Sequence, residues 1–131
     1  MTFGACQSRD VDAPPSLPPS RLDALHGLLD LDRLAEIGVD RGATALADGA
    51  DALTWADVDD AVARLSGALA AAGVAPGDRV AVHMRKSVWS FVTVHAVVRA
   101  GGVMVPLDPM ASPGAVRRVL AEASPTMLVS D

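Results

Sequence analysis

The sequence predicts an α/β fold in which helices alternate with the short strands of a parallel sheet. From Leu53 onward, short apolar segments alternate with segments of helical periodicity in the order β-α-β-α-β-α-β, which is typical of such a layer. The stretch 99–109 (RAGGVMVPLDP) predicts a helix end, a glycine turn, a buried strand and a proline stop, which together form half of a βαβ unit. The length of 131 residues, 50% of them hydrophobic, suits one domain with a real core.

The N-terminal region divides into a tail and the start of the folded part. Residues 1–20 contain four prolines and almost no periodic apolar pattern, so we expect a flexible Pro-rich tail, with a proline-recognition motif as the alternative. From residue 21 to Gly38, leucines recur close to helical spacing, and Ser20 is available as an N-cap. We interpret this leucine stripe as a packing surface, with a partner-binding helix as the alternative. The folded part therefore comprises residues 21–131.

A β-hairpin and the clearest helix follow. Asp48-Gly49 is a favourable turn between weak strands at 43–47 and 52–55, which predicts a hairpin. Thr54 begins a TWAD pattern, which predicts a capping box at the start of the next helix. That helix has one apolar and one charged face, and Gly73 ends it. Its predicted apolar face consists of Val58, Val62, Leu65, Leu69 and Ala72.

The remaining elements predict the parallel sheet. Residues 79–84 form a short strand, and Ser87 can cap a buried helix that ends before Gly101. A central strand at 103–105 is expected to be covered on both faces. Ser112-Pro113 can begin another helix, and a last strand follows at 126–130. The side chains expected to face the core from these elements are Val97, Val105, Val116, Val119 and Leu120.

Composition narrows the class of protein. The formal net charge of −5 argues against nucleic acid as a partner, because phosphate binding favours a basic face. The single cysteine, Cys6, excludes an internal disulfide and is typical of a reducing cytoplasm. The sequence has no apolar run near 18 residues and no basic region followed by an apolar one at its N-terminus. We therefore expect a cytoplasmic protein that neither spans a membrane nor is secreted.

No complete active site can be recognised. The sequence has no GxGxxG, GxxxxGK[ST] or Ser/Thr/Gly-rich loop that would cradle a phosphate. The best position for an anionic ligand is Arg85-Lys86, because it follows a parallel strand at the end where such folds bind ligands. A solvated basic loop is nevertheless the preferred interpretation of Arg85-Lys86. Asp108 is expected to shape its turn rather than to catalyse.

The histidines and acidic residues do not predict a metal site. His26, His83 and His95 lack metal-ligand spacing to one another and to Cys6. We interpret His83 and His95 as hydrogen-bonded histidines of the core or its rim. Three carboxylates lie near a helix start, where they interact favourably with the helix dipole; they are Asp57, Asp59 and Asp60. We therefore predict no catalytic, cofactor-binding or metal-binding residue in this chain.

Three motifs follow one another between Leu53 and Asp131. LTWADV at 53–58 resembles a Leu-Thr-Tyr-x-x-Leu motif, and GVAPGDRVAVHM at 73–84 is similar to Gly-Val-x-x-Gly-Asp-Arg-Val. VVRAGGVMVPLDP at 97–109 is similar to Leu-Lys-Ala-Gly-x-x-Tyr-Val-Pro-Leu-Asp-Pro, with Met104 in place of the aromatic residue. In this order and spacing, the motifs resemble the beginning of the adenylate-forming (AMP-binding) enzymes, which include acyl-CoA synthetases and the adenylation domains of peptide synthetases.

The resemblance implies the start of the large N-terminal domain of a ligase. Such a ligase activates a carboxylate with ATP and Mg²⁺ and passes the acyl group to the thiol of CoA or a carrier protein. In the family, the phosphate loop, the nucleotide motifs and the C-terminal subdomain with its catalytic lysine come after the matched region, and Lys86 cannot take that role. We therefore expect residues 21–131 to be an incomplete adenylation domain, inactive alone, with the remainder of the enzyme as its partner in cis or in trans. The alternatives are a non-enzymatic, truncated paralogue that binds a ligase or carrier protein, and a free-standing small-molecule-binding domain.

Overall fold

Five strands and three helices make up the part of the chain that the computed structural model describes, residues 38–49 and 51–131. The strands are β1 (Thr44–Asp48), β2 (Asp51–Thr54), β3 (Arg79–His83), β4 (Val103–Pro106) and β5 (Met127–Ser130). The helices are α1 (Trp55–Ala71), α2 (Val88–Arg99) and α3 (Pro113–Ala123). The tail, the leucine-rich segment, Cys6 and His26 lie outside the described residues.

The predicted hairpin and the predicted helix cap are both confirmed. β1 and β2 pair antiparallel, and Gly49 in their turn has a φ of 69°, in the left-handed region that favours glycine. Thr54 Oγ1 accepts a hydrogen bond from the Asp57 backbone N–H at 3.1 Å, and Asp57 Oδ2 accepts one from the Thr54 backbone N–H at 2.9 Å. The hydrogen bond from the Thr54 hydroxyl to Asp57 is the main cause that lowers the pKa of the Asp57 carboxyl. This capping box fixes the start of α1.

The parallel sheet has the strand order β4-β3-β5, so β3 and not β4 is the central strand. The expectation of a central strand at 103–105 is therefore wrong. Val103 is 52% exposed and Val105 is only partly buried, because β4 has a neighbouring strand on one side alone within the described residues. Val80 and Ala81 of β3 are fully buried. The hairpin strand β2 does not join this sheet but pairs with β1.

One core lies between a face of the parallel sheet and the layer formed by α1, α2 and the hairpin. Its buried members are Val58, Val62, Leu69, Val74, Val80, Val82, Val92, Ala96 and Val97. Most of the predicted apolar face of α1 and the predicted burial of Val97 are thus confirmed, although Leu65 is partly buried and Ala72 is exposed. Within the described part of the chain, no helix is long and apolar enough to cross a membrane.

The opposite face of the sheet carries α3. The connection from β3 to β4 and the connection from β4 to β5 run across the sheet in opposite directions, so right-handed crossovers place α2 and α3 on opposite faces. Ser112 caps α3 as predicted, with Pro113 in its first turn. Val116 and Leu120 are only partly buried, and Val119 is 37% exposed, contrary to the expected inward face. No residue of α3 is fully buried.

The glycine turn between α2 and β4 packs against the loop before β3. Gly101 has a φ of 81°, and a Cβ atom there would lie 3.2 Å from the Pro76 Cα. The Gly77 backbone N–H donates to the Gly101 carbonyl at 2.8 Å. A Cβ at Gly102 would lie 3.2 Å from the Val97 carbonyl oxygen, so this turn has no room for larger residues.

Candidate functional site

The C-terminal ends of the parallel strands are the part of the fold where a ligand is expected. His83 ends β3, Leu107 follows β4, and Asp131 follows β5. The candidate pair Arg85-Lys86 lies in the loop between β3 and α2, as predicted. This edge therefore brings together one histidine, two cations and one carboxylate from distant parts of the chain.

Arg85 already has a carboxylate partner at this edge. Its Nε donates to Asp131 Oδ2 at 3.2 Å, and its backbone N–H points to the same oxygen at 3.4 Å. The hydrogen bond from the Arg85 side chain is the main cause that lowers the pKa of the Asp131 carboxyl. The side chain of Arg85 is 84% exposed, so the pair lies in water and contributes little to stability. These contacts favour the interpretation of Arg85-Lys86 as a solvated basic loop.

The N-terminus of α2, beside Lys86, is closed by the hairpin. Asp48 Oδ2 accepts a hydrogen bond from the Val88 backbone N–H at 2.7 Å. Ser87 caps the helix, since its hydroxyl oxygen accepts from the Ser90 backbone N–H at 3.1 Å. A helix N-terminus attracts anions, and here the attracted anion is the protein's own carboxylate. The sequence predicted Ser87 as the cap but assigned Asp48 only to its turn.

Two grooves flank α2. The first has a volume of about 430 Å³ and lies between the hairpin and the helix, with mostly apolar walls that include Leu46, Phe91 and Val94. The second has a volume of about 480 Å³ and lies between α1 and α2 beside Trp89 and Leu65. Among the described residues, the cation that lines the first groove is Lys86 and the cation that lines the second is Arg64. The described lining of neither groove gathers the several cationic donors that suit a triphosphate.

The two described histidines differ in their hydrogen bonding. His95 Nδ1 lies 3.0 Å from the Phe91 carbonyl oxygen, and its ring stacks on the Phe91 ring with centroids 4.0 Å apart, so the predicted hydrogen-bonded histidine is confirmed. His83 Nε2 is buried and has no hydrogen-bond partner among the described residues. The prediction of a hydrogen-bonded histidine is therefore not met at Nε2 of His83.

One of the acidic residues at the start of α1, Asp59, connects this helix to two other parts of the chain. Asp59 accepts hydrogen bonds from Arg41 at 2.8 Å and from Arg99 at 2.9 Å, and so connects α1 to the segment before β1 and to the end of α2. The hydrogen bond from Arg41, together with Arg99, lowers the pKa of the Asp59 carboxyl. Asp60 pairs with Arg64 one turn along the same helix. Asp108 Oδ1 accepts from the Met110 backbone N–H at 2.8 Å, which confirms its turn-shaping role.

For ATP and Mg²⁺, which the resemblance implies for a complete enzyme, the described residues show no grouped set of ligands. Over residues 38–49 and 51–131, no three His, Cys, Asp or Glu side chains are grouped so that they could hold a metal ion. The N-terminus of α2 is occupied by Asp48, and Arg85 is paired with Asp131. In the described elements, Arg85, Asp48 and Asp59 thus each bind another group of the same chain.

Comparison with known sequences shows what this chain is similar to. The profile of the AMP-binding enzyme family matches residues 35–131. Protein Y from Streptomyces griseus is 38% identical over 122 residues, which cover 91% of this chain and 38% of that protein. Enterobactin synthase component F from Escherichia coli strain K12 is 34% identical over 88 residues, which cover 67% of this chain and 7% of that protein. The chain therefore spans well under half the length of these relatives.

Solved structures give the same result for the fold. The N-terminal subdomain of NpsA from Klebsiella oxytoca, in complex with anthranilyl-AMSN, has a TM-score of 0.70 and 25% identity over 77% of this chain and 26% of that chain. ATP-bound MatB from Rhodopseudomonas palustris has a TM-score of 0.69 and 32% identity over 77% of this chain and 20% of that chain. An artificially fused adenylation–PCP di-domain, NpsA-ThdA, also has a TM-score of 0.70. The predicted α/β layer is thus confirmed as that of an N-terminal subdomain.

Proposed function

Because the chain belongs to the AMP-binding enzyme family, we propose that it forms the N-terminal portion of a ligase that activates a carboxylate as an acyl-AMP. The observation that carries this proposal is the match of residues 35–131 to the family, together with the likeness of the described elements to an N-terminal subdomain. In the complete enzyme the carboxylate attacks the α-phosphate of ATP, pyrophosphate leaves, and the acyl group then passes to a thiol with release of AMP.

The role of this chain within that enzyme is scaffolding. Within the described residues, Arg85 is paired with Asp131 and the N-terminus of α2 is capped by Asp48 of the hairpin, so this proposal assigns neither to the transferring phosphate. Such groups account for much of the catalysis in phosphoryl and nucleotidyl transfer. The phosphate loop, the Mg²⁺ ligands and the catalytic lysine come from the remainder of the enzyme, joined to residues 21–131 or supplied as a second polypeptide. The chain alone is inactive.

The thiol acceptor in this proposal is a carrier protein or CoA. Support for a carrier protein comes from relatives named as enterobactin synthase and nonribosomal peptide synthetases, and from the adenylation–PCP fusion among the similar structures. The complete enzyme would then load a carboxylate onto the carrier. Loading of a carrier protein and of CoA by the assembled enzyme can be compared directly, with each acceptor offered alone.

The test of the proposed function is carboxylate-dependent exchange of pyrophosphate into ATP. The pure 131-residue chain is expected to show no exchange above buffer with any carboxylate. A chimera, in which this chain replaces the matching segment of Rhodopseudomonas palustris MatB, is expected to exchange with the carboxylate that MatB accepts. A matched chimera carrying Val80→Asp, which buries a carboxylate in the central strand, is the inactive control. Exchange by the isolated chain would contradict the scaffold role, and a folded but inactive chimera would favour the non-enzymatic paralogue.

A further inference from the structure

We propose that Lys86 is a self-acylation site, at which the side-chain amine takes an acyl group from an acyl-AMP and the groove between the hairpin and α2 holds the acyl chain. The inference rests on the proposed function, which supplies the acyl-AMP. Two features carry it within the described residues: the amine of Lys86, which has no partner there, and the mostly apolar groove that Lys86 lines.

The amine of Lys86 is accessible to a reagent in the part of the chain that the structure describes. Lys86 is exposed and lies in the loop between β3 and α2. No hydrogen bond or ion pair holds its ammonium group among the described residues, whereas the side chain of the neighbouring Arg85 is paired with Asp131. It is also the only lysine in the sequence, and the guanidinium groups of the arginines stay protonated. Lys86 is therefore the one side-chain amine that an activated acyl group can modify.

The groove that Lys86 lines follows the first two turns of α2. Its volume of about 430 Å³ lies in the range of small-molecule pockets, and its mostly apolar walls include Leu46, Phe91 and Val94. The helical rise places the start of α2 and Val94 about 9 Å apart along the helix axis. Since Lys86 comes just before this helix, its amine lies at one end of an apolar trough on the scale of a medium-length acyl chain.

The charges of the groove favour a neutral occupant. Among the described residues, Asp48 and Lys86 are the charged residues of its lining. Asp48 accepts a hydrogen bond from the Val88 backbone N–H at 2.7 Å, so its carboxylate keeps a partner when Lys86 loses its charge. Acylation converts the ammonium group into a neutral amide, whose apolar chain can lie on the groove walls instead of in water. A free carboxylate, by contrast, would bring a second negative charge beside Asp48.

The reaction is the aminolysis of a mixed anhydride. The Lys86 ammonium group loses one proton to water, and the lone pair of Nζ then attacks the acyl carbonyl carbon of the acyl-AMP. The C–N bond of an amide forms, the bond between the carbonyl carbon and the phosphate oxygen breaks, AMP leaves, and a second proton passes from the nitrogen to water. The groove accelerates this step by holding the acyl chain next to Nζ, so an apolar acyl chain should react faster than an acetyl group.

Synthetic octanoyl-AMP and acetyl-AMP test this site on the full chain at mildly alkaline pH. Peptide mass spectrometry measures the acylation rate at Lys86 and at the N-terminal amine, which is the internal reference, and hydroxylamine removes any thioester formed at Cys6. We expect the ratio of the octanoyl rate to the acetyl rate to be about tenfold higher at Lys86 than at the N-terminal amine, because the groove takes up part of the octanoyl chain. Lys86→Arg should abolish side-chain amide formation and leave the N-terminal rates unchanged.

A pair of variants separates the groove from the reactivity of an ordinary exposed lysine. Val94→Ser makes one wall of the groove polar, and the matched control Val119→Ser changes a 37% exposed valine on α3, which does not line the groove. Val94→Ser should lower the octanoyl preference at Lys86 by about fourfold, whereas Val119→Ser should leave it within about twofold.

Equal octanoyl preference at Lys86 and at the N-terminal amine, or equal effects of the two variants, would overturn the assignment of Lys86 and its groove. Because the acyl-AMP is supplied, that result would leave the proposed function intact. Octanoyl preference at Lys86 together with a folded but inactive chimera would instead overturn the proposed function, and with it the enzyme as the source of the acyl group.

Discussion

Truncation of a buried valine on α2 should destabilise the chain far more than the same truncation on the edge strand. Val97 is completely buried and its Cγ1 packs against the backbone of Gly102, where even a Cβ would lie within 3.2 Å. Val97→Ala removes two methyl groups, which costs about 1.6 kcal/mol of transfer free energy, and the cavity left behind raises the cost to roughly 2–3 kcal/mol. Val103 is 52% exposed, so Val103→Ala should cost less than about 1 kcal/mol.

These free energies correspond to clearly different melting temperatures. For a domain of this size, 1 kcal/mol shifts the midpoint by about 4–8 °C, so Val97→Ala should melt roughly 10–20 °C below the wild type. Val103→Ala should melt within about 6 °C of it. Tryptophan fluorescence at sub-micromolar protein reports the transition, because Trp55 and Trp89 lie at the starts of α1 and α2. Similar midpoints for the two variants would refute the assignment of β4 to the sheet edge and of Val97 to the core.

Two further predictions concern carboxylates that join distant elements. The pKa of Asp59 is lowered by Arg41 and Arg99, so its contribution to stability is present above the ordinary carboxyl pKa near 4 and is lost as the pH falls through the lowered value. Asp59→Asn should lower the free energy of unfolding by at most about 1 kcal/mol at neutral pH. It should also remove this pH dependence from the urea midpoints, and a variant whose pH profile runs parallel to that of the wild type would argue against the pairing. Asp48→Ala should cost about 1–2 kcal/mol, because the Val88 N–H loses its acceptor, and Asp48→Asn should cost less because an acceptor remains. Thermal melts of both variants decide this, and equal losses would contradict the capping role.

The helix starts and turns that depend on residues close together in the sequence were predictable. Thr54, Ser87 and Ser112 cap the three helices as predicted, because a cap needs only a hydroxyl and an N–H a few residues along the chain. Gly49 and Gly101 adopt the left-handed conformations that their turns were expected to need. Such signals are local, and tertiary packing did not override them.

The sheet order and the roles of two carboxylates were not predictable in the same way. An apolar run such as Val103-Met104-Val105 indicates a strand but does not distinguish a central strand from an edge, because that depends on which other strands pair with it. Asp48 and Asp59 each bind a partner 40 residues away, Val88 and Arg99, respectively. No local pattern encodes a contact of that separation, so the sequence assigned each carboxylate only to its nearest turn or helix.

The motifs by which the chain resembles its family make contacts that hold its elements together. The loop of the second motif and the glycine turn of the third pack directly on each other, with the Gly77 N–H bonded to the Gly101 carbonyl at 2.8 Å. The first motif supplies the Thr54 cap of α1. The described elements that carry these contacts resemble both NpsA and ATP-bound MatB, with TM-scores of 0.70 and 0.69.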